Sequence, residues 1–246
     1  MSTVVAVANQ KGGVGKTNLT GNLAAELAAQ GCSVVVVDLD PQATLTAWLV
    51  GRSDVVGTAE VLLGEAKASD ALLDVPTFGV RLLAAVPDRL RVADRTLASE
   101  VGSERRLAKA LRGVEADVVL CDCPPSMGIL TASALLACEV VLVPTTPTAE
   151  GIDGLTQFRE NLARLSEAFD RELRARVVVT SYNDRLRLAR EAREAISTIA
   201  GADLCGVVIR ESVAVREAVG HRVPIRSYRP GNTGAADYAA LAQEVF

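Results

Sequence analysis

Short apolar runs alternate along the chain with stretches in which apolar residues recur every three or four positions. The runs predict buried strands, and the periodic stretches predict helices that cover them. Strands are predicted at residues 3–8, 33–38, 80–85, 117–122, 140–144, 176–181 and 206–209. Helices are predicted at residues 16–30, 59–63, 89–99, 103–111, 128–137, 151–169, 186–200, 213–219 and 234–245. This alternation indicates an α/β fold: a doubly wound, mostly parallel sheet with helices on both faces.

The domain organisation follows from length and composition. The chain has 246 residues, of which 49% are hydrophobic and 3% aromatic, so Val, Leu, Ala and Ile must form the core. No repeat, low-complexity segment or linker divides it, and residues 1–246 are therefore expected to form a single domain.

The expected location is the cytoplasm. No apolar stretch approaches the ~20 residues of a membrane span, and the N-terminus lacks the pattern of a signal peptide. The cysteines have no paired spacing, which indicates reduced thiols. They stand at Cys32, Cys121, Cys123, Cys138 and Cys205. The Cys-Asp-Cys segment at 121–123 fits the end of a strand better than a metal site.

A glycine-rich loop follows the first predicted strand and precedes the first predicted helix. Residues 11–17 read Lys-Gly-Gly-Val-Gly-Lys-Thr. Glycines let the backbone N–H groups turn towards phosphate oxygens, and the helix N-terminus adds positive potential. In such a loop Lys16 would reach the β- and γ-phosphates, and the Thr17 hydroxyl would ligate Mg²⁺.

Lysine is scarce, and its distribution is informative. The basic residues are almost all arginine, and the lysines are Lys11, Lys16, Lys67 and Lys109. Two of them lie in the glycine-rich loop. A compact ammonium group is therefore expected to be chemically required there.

Aspartates end two of the predicted strands. Asp38 and Asp40 follow one strand, and Asp122 ends another. Ligands of doubly wound sheets bind at the carboxyl ends of the strands, and a hard cation prefers carboxylate and hydroxyl oxygens.

The loop departs from an ordinary P-loop at Gln10, where a glycine would stand, and it adds Lys11. It resembles the deviant Walker A motif of the ParA/MinD superfamily of P-loop NTPases. The resemblance implies that Lys11 crosses a dimer interface to the phosphates of the nucleotide held by the other subunit. ATP would then join two subunits, and hydrolysis would release them.

Further segments carry the same resemblance. Asp-Leu-Asp-Pro-Gln at 38–42 and Asp-Cys-Pro-Pro at 122–125 are similar to two family motifs. They imply that Asp40 orients the attacking water, that Asp38 lies near the Mg²⁺ shell and that Asp122 holds Mg²⁺ through water. Thr-Ser-Tyr-Asn-Asp-Arg at 180–185 resembles the segment that places a residue near adenine. The implied nucleotide-binding residues are Lys11, Gly12, Gly13, Val14, Gly15, Lys16, Thr17, Asn18 and Asn183.

Asn18 stands where the family usually has threonine. Its amide could donate to an α-phosphate oxygen.

The resemblance also implies non-specific DNA binding, which needs a basic surface although the formal net charge of the whole chain is −4. Between Arg176 and Arg229, ten arginines outnumber six acidic residues. Clustered cations of this kind serve contacts to DNA phosphates. The candidate contacts are Arg185, Arg187, Arg190, Arg210 and Arg216. At Ala214 the chain lacks a basic residue that family members use for DNA.

The resemblance implies a ParA-type partition ATPase, Mg²⁺-dependent and dimeric with ATP. It would bind double-stranded DNA non-specifically, associate with the nucleoid and respond to a ParB-type partner. Two alternatives remain open. One is a MinD-like positioning ATPase that acts on a protein complex or a membrane, although no basic amphipathic tail follows the last predicted helix. The other is an iron–sulfur relative that uses Cys121, Cys123 and Cys138.

Overall fold

A seven-stranded sheet forms the centre of the protein in a computed structural model that describes residues 2–51 and 54–246. Its strands are β1 (Thr3–Val7), β2 (Val34–Asp38), β3 (Leu72–Val75), β4 (Val80–Leu83), β5 (Val118–Asp122), β6 (Val140–Thr145) and β7 (Arg174–Val179). Their order across the sheet is β3-β4-β2-β5-β1-β6-β7. All neighbours run parallel except β3, which pairs with β4 in the antiparallel sense.

The helices occupy the connections between strands. They are α1 (Lys16–Ala29), α2 (Thr44–Leu49), α3 (Thr58–Leu63), α4 (Pro87–Ala98), α5 (Arg106–Leu111), α6 (Ile129–Ala137), α7 (Ala149–Ala168), α8 (Arg187–Ala200), α9 (Val213–Gly220), α10 (Ile225–Tyr228) and α11 (Thr233–Val245). Short 3-10 turns lie at Ala68–Asp70, Ser103–Arg105 and Gly201–Asp203. In the described ranges, no helix is both long and apolar enough to cross a membrane.

The core has two layers because alternate strand residues point to opposite faces of the sheet. On one face, Cys121 and Val141 pack with Leu135 of α6 and Phe158 of α7. On the other face, Leu120 packs with residues of α1 and α11, among them Leu23 and Leu241. Helices therefore cover both faces, which confirms the predicted doubly wound α/β class.

One predicted strand is wrong, and the elements β3, α2 and α10 were not predicted. Residues 206–209 are not a strand. They run beside β7 with only scattered backbone contacts, because the N–H groups of Gly206 and Val207 donate to the Glu244 carboxylate. The edge strand β3 was not predicted, because it has only four residues and one of them, Asp74, is exposed.

Helix α2 was also not predicted, and its position depends on a distant residue. It begins after Ala43, whose φ of 52° lies in the left-handed region. Thr46 then donates from both its N–H and its hydroxyl to the buried Asp38 carboxylate, at 2.9 and 2.7 Å. No local sequence pattern records this contact.

Candidate functional site

The glycine-rich loop and the aspartates meet at the carboxyl edge of the sheet. Asp122 at the end of β5 is paired in register with Val7 of β1 on one side and with Asp38 of β2 on the other. The loop that follows β1 therefore lies directly beside both carboxylates.

The glycine-rich loop is open and turns through left-handed backbone. Gly13 has a φ of 76° and Gly15 a φ of 87°, a conformation that L side chains rarely adopt. A Cβ atom built on Gly12 or Gly13 would meet nothing within 4 Å, so the mouth of the loop is clear. Helix α1 begins directly after Gly15 and directs its first backbone N–H groups to this mouth.

Lys16 is buried and closes the loop from inside. Its Nζ donates to the backbone carbonyls of Asn9, at 3.0 Å, and Lys11, at 3.1 Å. Burial lowers the pKa of Lys16, while the charges of Asp122 and Asp40 oppose that shift. Both hydrogen-bond acceptors are neutral, so the ammonium leaves positive potential at the loop for an anion.

Thr17 and Asp122 form an oxygen-rich pair next to the loop. Thr17 Oγ1 donates to Asp122 Oδ2 at 2.8 Å, and Thr20 Oγ1 donates to Asp122 Oδ1 at 3.2 Å. Burial raises the pKa of Asp122, and the nearby Asp38 carboxylate raises it further. A divalent cation would relieve this cost by favouring the charged carboxylate.

Asp38 orders the segment that carries Asp40. Its carboxylate accepts the N–H of Asp40 at 3.1 Å, in addition to the two donors of Thr46. Asp38 is fully buried, and burial raises its pKa. Asp40 is half-buried, and its Oδ1 accepts the N–H of Gln42 at 2.8 Å. Asp38 thus fixes the loop that presents Asp40.

The side chain of Lys11 is half-buried and lies against α7. No hydrogen bond or ion pair engages its ammonium in the part of the chain that the structure describes. Its aliphatic part runs past α7, where a Cβ built on Gly154 would lie 3.3 Å from Lys11 Cβ. Hydrogen bonds of the Glu150 backbone and of Thr148 lower the pKa of Glu150, and the charge of Lys11 adds to that effect.

Two polar residues that hold the loop escaped the sequence analysis. Asn9 Nδ2 donates to the Pro144 carbonyl at 2.8 Å, and its Oδ1 accepts the Lys11 N–H at 3.0 Å. Thr180 Oγ1 donates to the Val14 carbonyl at 2.8 Å. The available signal was weak: each is a polar residue within two positions of the end of a buried strand.

The two asparagines predicted to contact nucleotide lie in different places. Asn18, in the first turn of α1, has a buried Oδ1 without a hydrogen-bond partner among the described residues. Asn183 lies in the loop after β7, where its Oδ1 accepts the Arg185 N–H at 3.2 Å. The unpaired atom of Asn18 is an acceptor, so the predicted donation to an α-phosphate oxygen would have to come from Nδ2.

The five candidate DNA-binding arginines are all exposed, but they differ in their partners. Arg210 forms an ion pair with the buried Asp237, in which Nε donates to Oδ2 at 2.9 Å. Arg187 pairs with Glu191 at 2.7 Å, and Arg216 lies 3.8 Å from Glu211. Arg185 and Arg190 have no carboxylate partner within the described ranges. Ala214 is buried, so no contact to DNA arises at that position.

The three cysteines of the iron–sulfur alternative lie in the interior of the protein. Cys121, Cys123 and Cys138 are at most 1% exposed and belong to the same apolar layer. Burial raises the pKa of each thiol. Ligands to a cluster shared between subunits would have to reach the surface, so this arrangement speaks against the iron–sulfur alternative.

Strand, glycine-rich loop, helix and flanking carboxylates together define a P-loop nucleotide-binding protein. The family model described as "AAA domain" matches residues 2–175. The chromosome-partitioning ATPase Soj of Treponema pallidum is 33% identical over 250 residues, which cover 100% of this chain and 97% of that protein.

Two other comparisons agree. The chromosome partitioning protein ParA of Caulobacter vibrioides is 34% identical over 249 residues, covering 98% of this chain and 93% of that protein. The crystal structure of cobyrinic acid a,c-diamide synthase from Mycobacterium smegmatis, with bound ADP and magnesium, has a TM-score of 0.85 and 31% identity. It covers 99% of this chain and 93% of that one. The chain belongs to the Soj/ParA family of chromosome-partitioning ATPases.

Proposed function

We propose that the protein is a ParA-type partition ATPase. It binds ATP and Mg²⁺, pairs with a second copy when ATP is bound and then binds double-stranded DNA without sequence preference. Slow hydrolysis, stimulated by a ParB-type partner, returns it to the free state. Residues 1–246 act as one ATPase domain, and the ATP-bound form associates with the nucleoid.

The residues at the loop fit a nucleotide with magnesium. The clear mouth at Gly12 and Gly13 leaves room for phosphate oxygens, and the buried ammonium of Lys16 supplies positive potential. Across residues 2–51 and 54–246, no three His, Cys, Asp or Glu side chains come together to hold a metal alone. Magnesium characteristically needs only one or two protein oxygens beside phosphates and water, and Thr17 and Asp122 would supply them.

Each residue of the site has a distinct task. Bound magnesium would neutralise phosphate charge. The backbone N–H groups of residues 12–17 orient the phosphates, and Lys16 stabilises the charge that develops during phosphoryl transfer. Asp40 positions the attacking water, and Asp38 keeps the Asp40 loop in place by accepting the Asp40 N–H, while Thr46 holds the Asp38 carboxylate.

The position of Lys11 is the observation that supports pairing of two ATP-bound subunits. Lys16 already closes the loop within the subunit, while Lys11 lies along α7 with its ammonium unengaged in the described chain. A second nucleotide facing the first across an interface would bring two clusters of negative charge together. A lysine contributed by each subunit would compensate that charge.

DNA binding rests on the arginines at the start of α8. Arg185 and Arg190 are exposed and have no carboxylate partner within the described ranges, so they can engage phosphates without losing an internal contact. Arg187 and Arg216 would first have to leave an exposed ion pair, which costs little. Arg210 is the weakest candidate because Asp237 holds it.

The test is DNA binding by the purified protein, measured as fluorescence anisotropy of a labelled duplex with ATP, with ADP and without nucleotide. We expect DNA binding with ATP but not with ADP or without nucleotide, and we expect it to weaken steeply as salt is added. The double variant Arg185→Glu/Arg190→Glu should lose this binding. The matched control is Arg95→Glu/Arg164→Glu, two exposed arginines with the same change of charge. Equal effects of both variants would refute this DNA surface. ATP-dependent sedimentation with anionic vesicles, without DNA binding, would support the MinD-like alternative.

A further inference from the structure

A second concave site lies away from the nucleotide loop. It is a groove of about 1170 Å³ between α3, α5 and the C-terminal ends of α6 and α7. Its wall residues 112–113, 136 and 169–171 precede β5, β6 and β7, respectively, so they lie at the amino ends of these strands. The glycine-rich loop follows the carboxyl end of β1. The groove is therefore not part of the ATP site.

The groove is strongly basic in a protein whose net charge is −4. Its lining contains six cations: Lys67, Arg105, Arg106, Lys109, Arg112 and Arg171. Asp170 is the one acidic residue among the described residues that line it. Both lysines outside the nucleotide loop lie here, in a chain that otherwise uses arginine. We call this feature the basic groove.

Two of the six cations hold the walls together. Arg106 donates to the carbonyls of Leu62 and Leu63, at 3.1 and 3.0 Å, and pairs with Glu100. Arg171 donates to the Cys138 carbonyl. These contacts fix the C-terminal end of α3 and the start of β6 relative to the groove, so its shape is built in.

The other four cations are exposed and unengaged. Lys67, Arg105, Lys109 and Arg112 make no side-chain hydrogen bond or ion pair among the residues that the structure describes. Arg105, Lys109 and Arg112 follow one another at intervals of four and three positions, so they form a stripe along one face of α5 and its ends. Lys67 lines the groove from the loop after α3.

The lining between the cations is apolar. Val61, Leu136, Phe169 and Ala108 contribute to it. The phosphates of DNA could bind the stripe of cations, but the DNA backbone has no apolar groups that would pack against the apolar residues of the groove. A peptide segment that carries both carboxylates and apolar side chains complements the cations and the apolar residues of the groove together.

We propose that the basic groove binds an acidic, amphipathic segment of a partner protein. Docking there leaves the nucleotide loop and the α8 arginines accessible, so the partner can bind whether or not ATP and DNA are bound. The site is independent of the proposed partition function, because none of its residues belongs to the nucleotide site or to the candidate DNA surface.

The test uses full-length protein and a fluorescein-labelled synthetic peptide of repeating Glu-Glu-Leu-Glu-Glu-Phe, read by anisotropy. Its Gln-for-Glu version and a single-stranded oligonucleotide are run in parallel. We expect saturable, salt-sensitive binding of the acidic peptide and no comparable binding of the Gln version. Lys67→Glu/Lys109→Glu should weaken binding roughly tenfold or more, because each reversal turns an attraction into a repulsion.

Arg95→Glu/Arg164→Glu is the control, since it changes the net charge equally outside the groove. Lys67→Gln/Lys109→Gln, which only neutralises the charges, serves if the reversal impairs folding, and it should weaken binding less. ATP hydrolysis and ATP-dependent DNA binding should stay unchanged in the groove variants. Equal binding of the acidic and Gln peptides, equal effects of groove and control variants, or groove-dependent binding of the oligonucleotide alone would each overturn the proposal.

Discussion

The hydroxyl of Thr180 connects β7 to the nucleotide loop, and its removal is a sharp test of how that loop is held. Thr180 is 4% exposed, and its Oγ1 donates to the Val14 carbonyl at 2.8 Å, with the Thr145 carbonyl farther away at 3.1 Å. Thr180→Val keeps the shape and removes the donor. Thr145 O retains the Thr180 N–H, also at 2.8 Å, whereas the buried Val14 loses this contact.

The expected loss of stability comes from the Val14 carbonyl, which is left without a donor. A buried carbonyl that loses its donor destabilises a protein by about 1–3 kcal/mol. For a domain of this size each kcal/mol lowers the melting temperature by roughly 2–4 °C. Because the freed carbonyl belongs to the loop itself, ATP affinity should fall as well. Thermal denaturation with and without ATP, and titration with a fluorescent ATP analogue, measure both effects.

Thr131→Val is the matched control. Thr131 is 1% exposed in α6, and its Oγ1 is buried without a hydrogen-bond partner in the described structure. The same substitution removes an unsatisfied polar group there, so stability should stay unchanged or rise. If both variants lowered stability equally, or if Thr180→Val left ATP affinity intact, the argument that this hydroxyl holds the loop would be wrong.

Other predictions concern charge and packing. Asp122→Asn should stabilise the nucleotide-free protein increasingly as pH rises. Because the pKa of Asp122 is raised in the folded state, the stability of the wild-type protein falls as pH rises from 3.8 towards the raised pKa. The melting temperatures of variant and wild type should therefore converge at acidic pH. Arg210→Ala should lower the free energy of unfolding by about 1–2 kcal/mol, because the charge of the buried Asp237 loses its cationic partner. The effect is modest because the Arg210 side chain is half-exposed; an unchanged denaturation midpoint would contradict this. Gly21→Ala should cost about 1–3 kcal/mol in the same assay, since its Cβ would lie 2.3 Å from Trp48 Cζ3.

The sequence predicted the parts of the fold that periodicity and local motifs record. Most strands, the doubly wound layers and the aspartates beside the loop all follow from patterns within a few residues. Helix α2 could not be found, because it depends on Asp38 binding Thr46 across a turn. The strand predicted at 206–209 was wrong because Glu244, from α11, takes its backbone donors.

The same limit applies to the candidate site. The roles assigned to Lys11, Lys16, Thr17, Asp40 and Asp122 came from spacing and resemblance, and they stay predictions. The supports of the loop could not be predicted, because Asn9 and Thr180 act through carbonyls of distant segments. The sequence also could not show that Asp237 engages Arg210, or that Lys67 and Lys109 share a groove.

If Lys11 acts on the nucleotide of the other subunit, two inactive variants should restore activity when they are mixed. Lys11→Ala retains its own Lys16, and Lys16→Ala retains a Lys11 to contribute. Random pairing of equal amounts makes half of the dimers mixed, each with one complete site. ATPase activity should therefore return to roughly a quarter of the wild-type value. If the mixture stayed as inactive as each variant alone while an affinity tag on one variant co-purified the other, Lys11 would act within its own subunit.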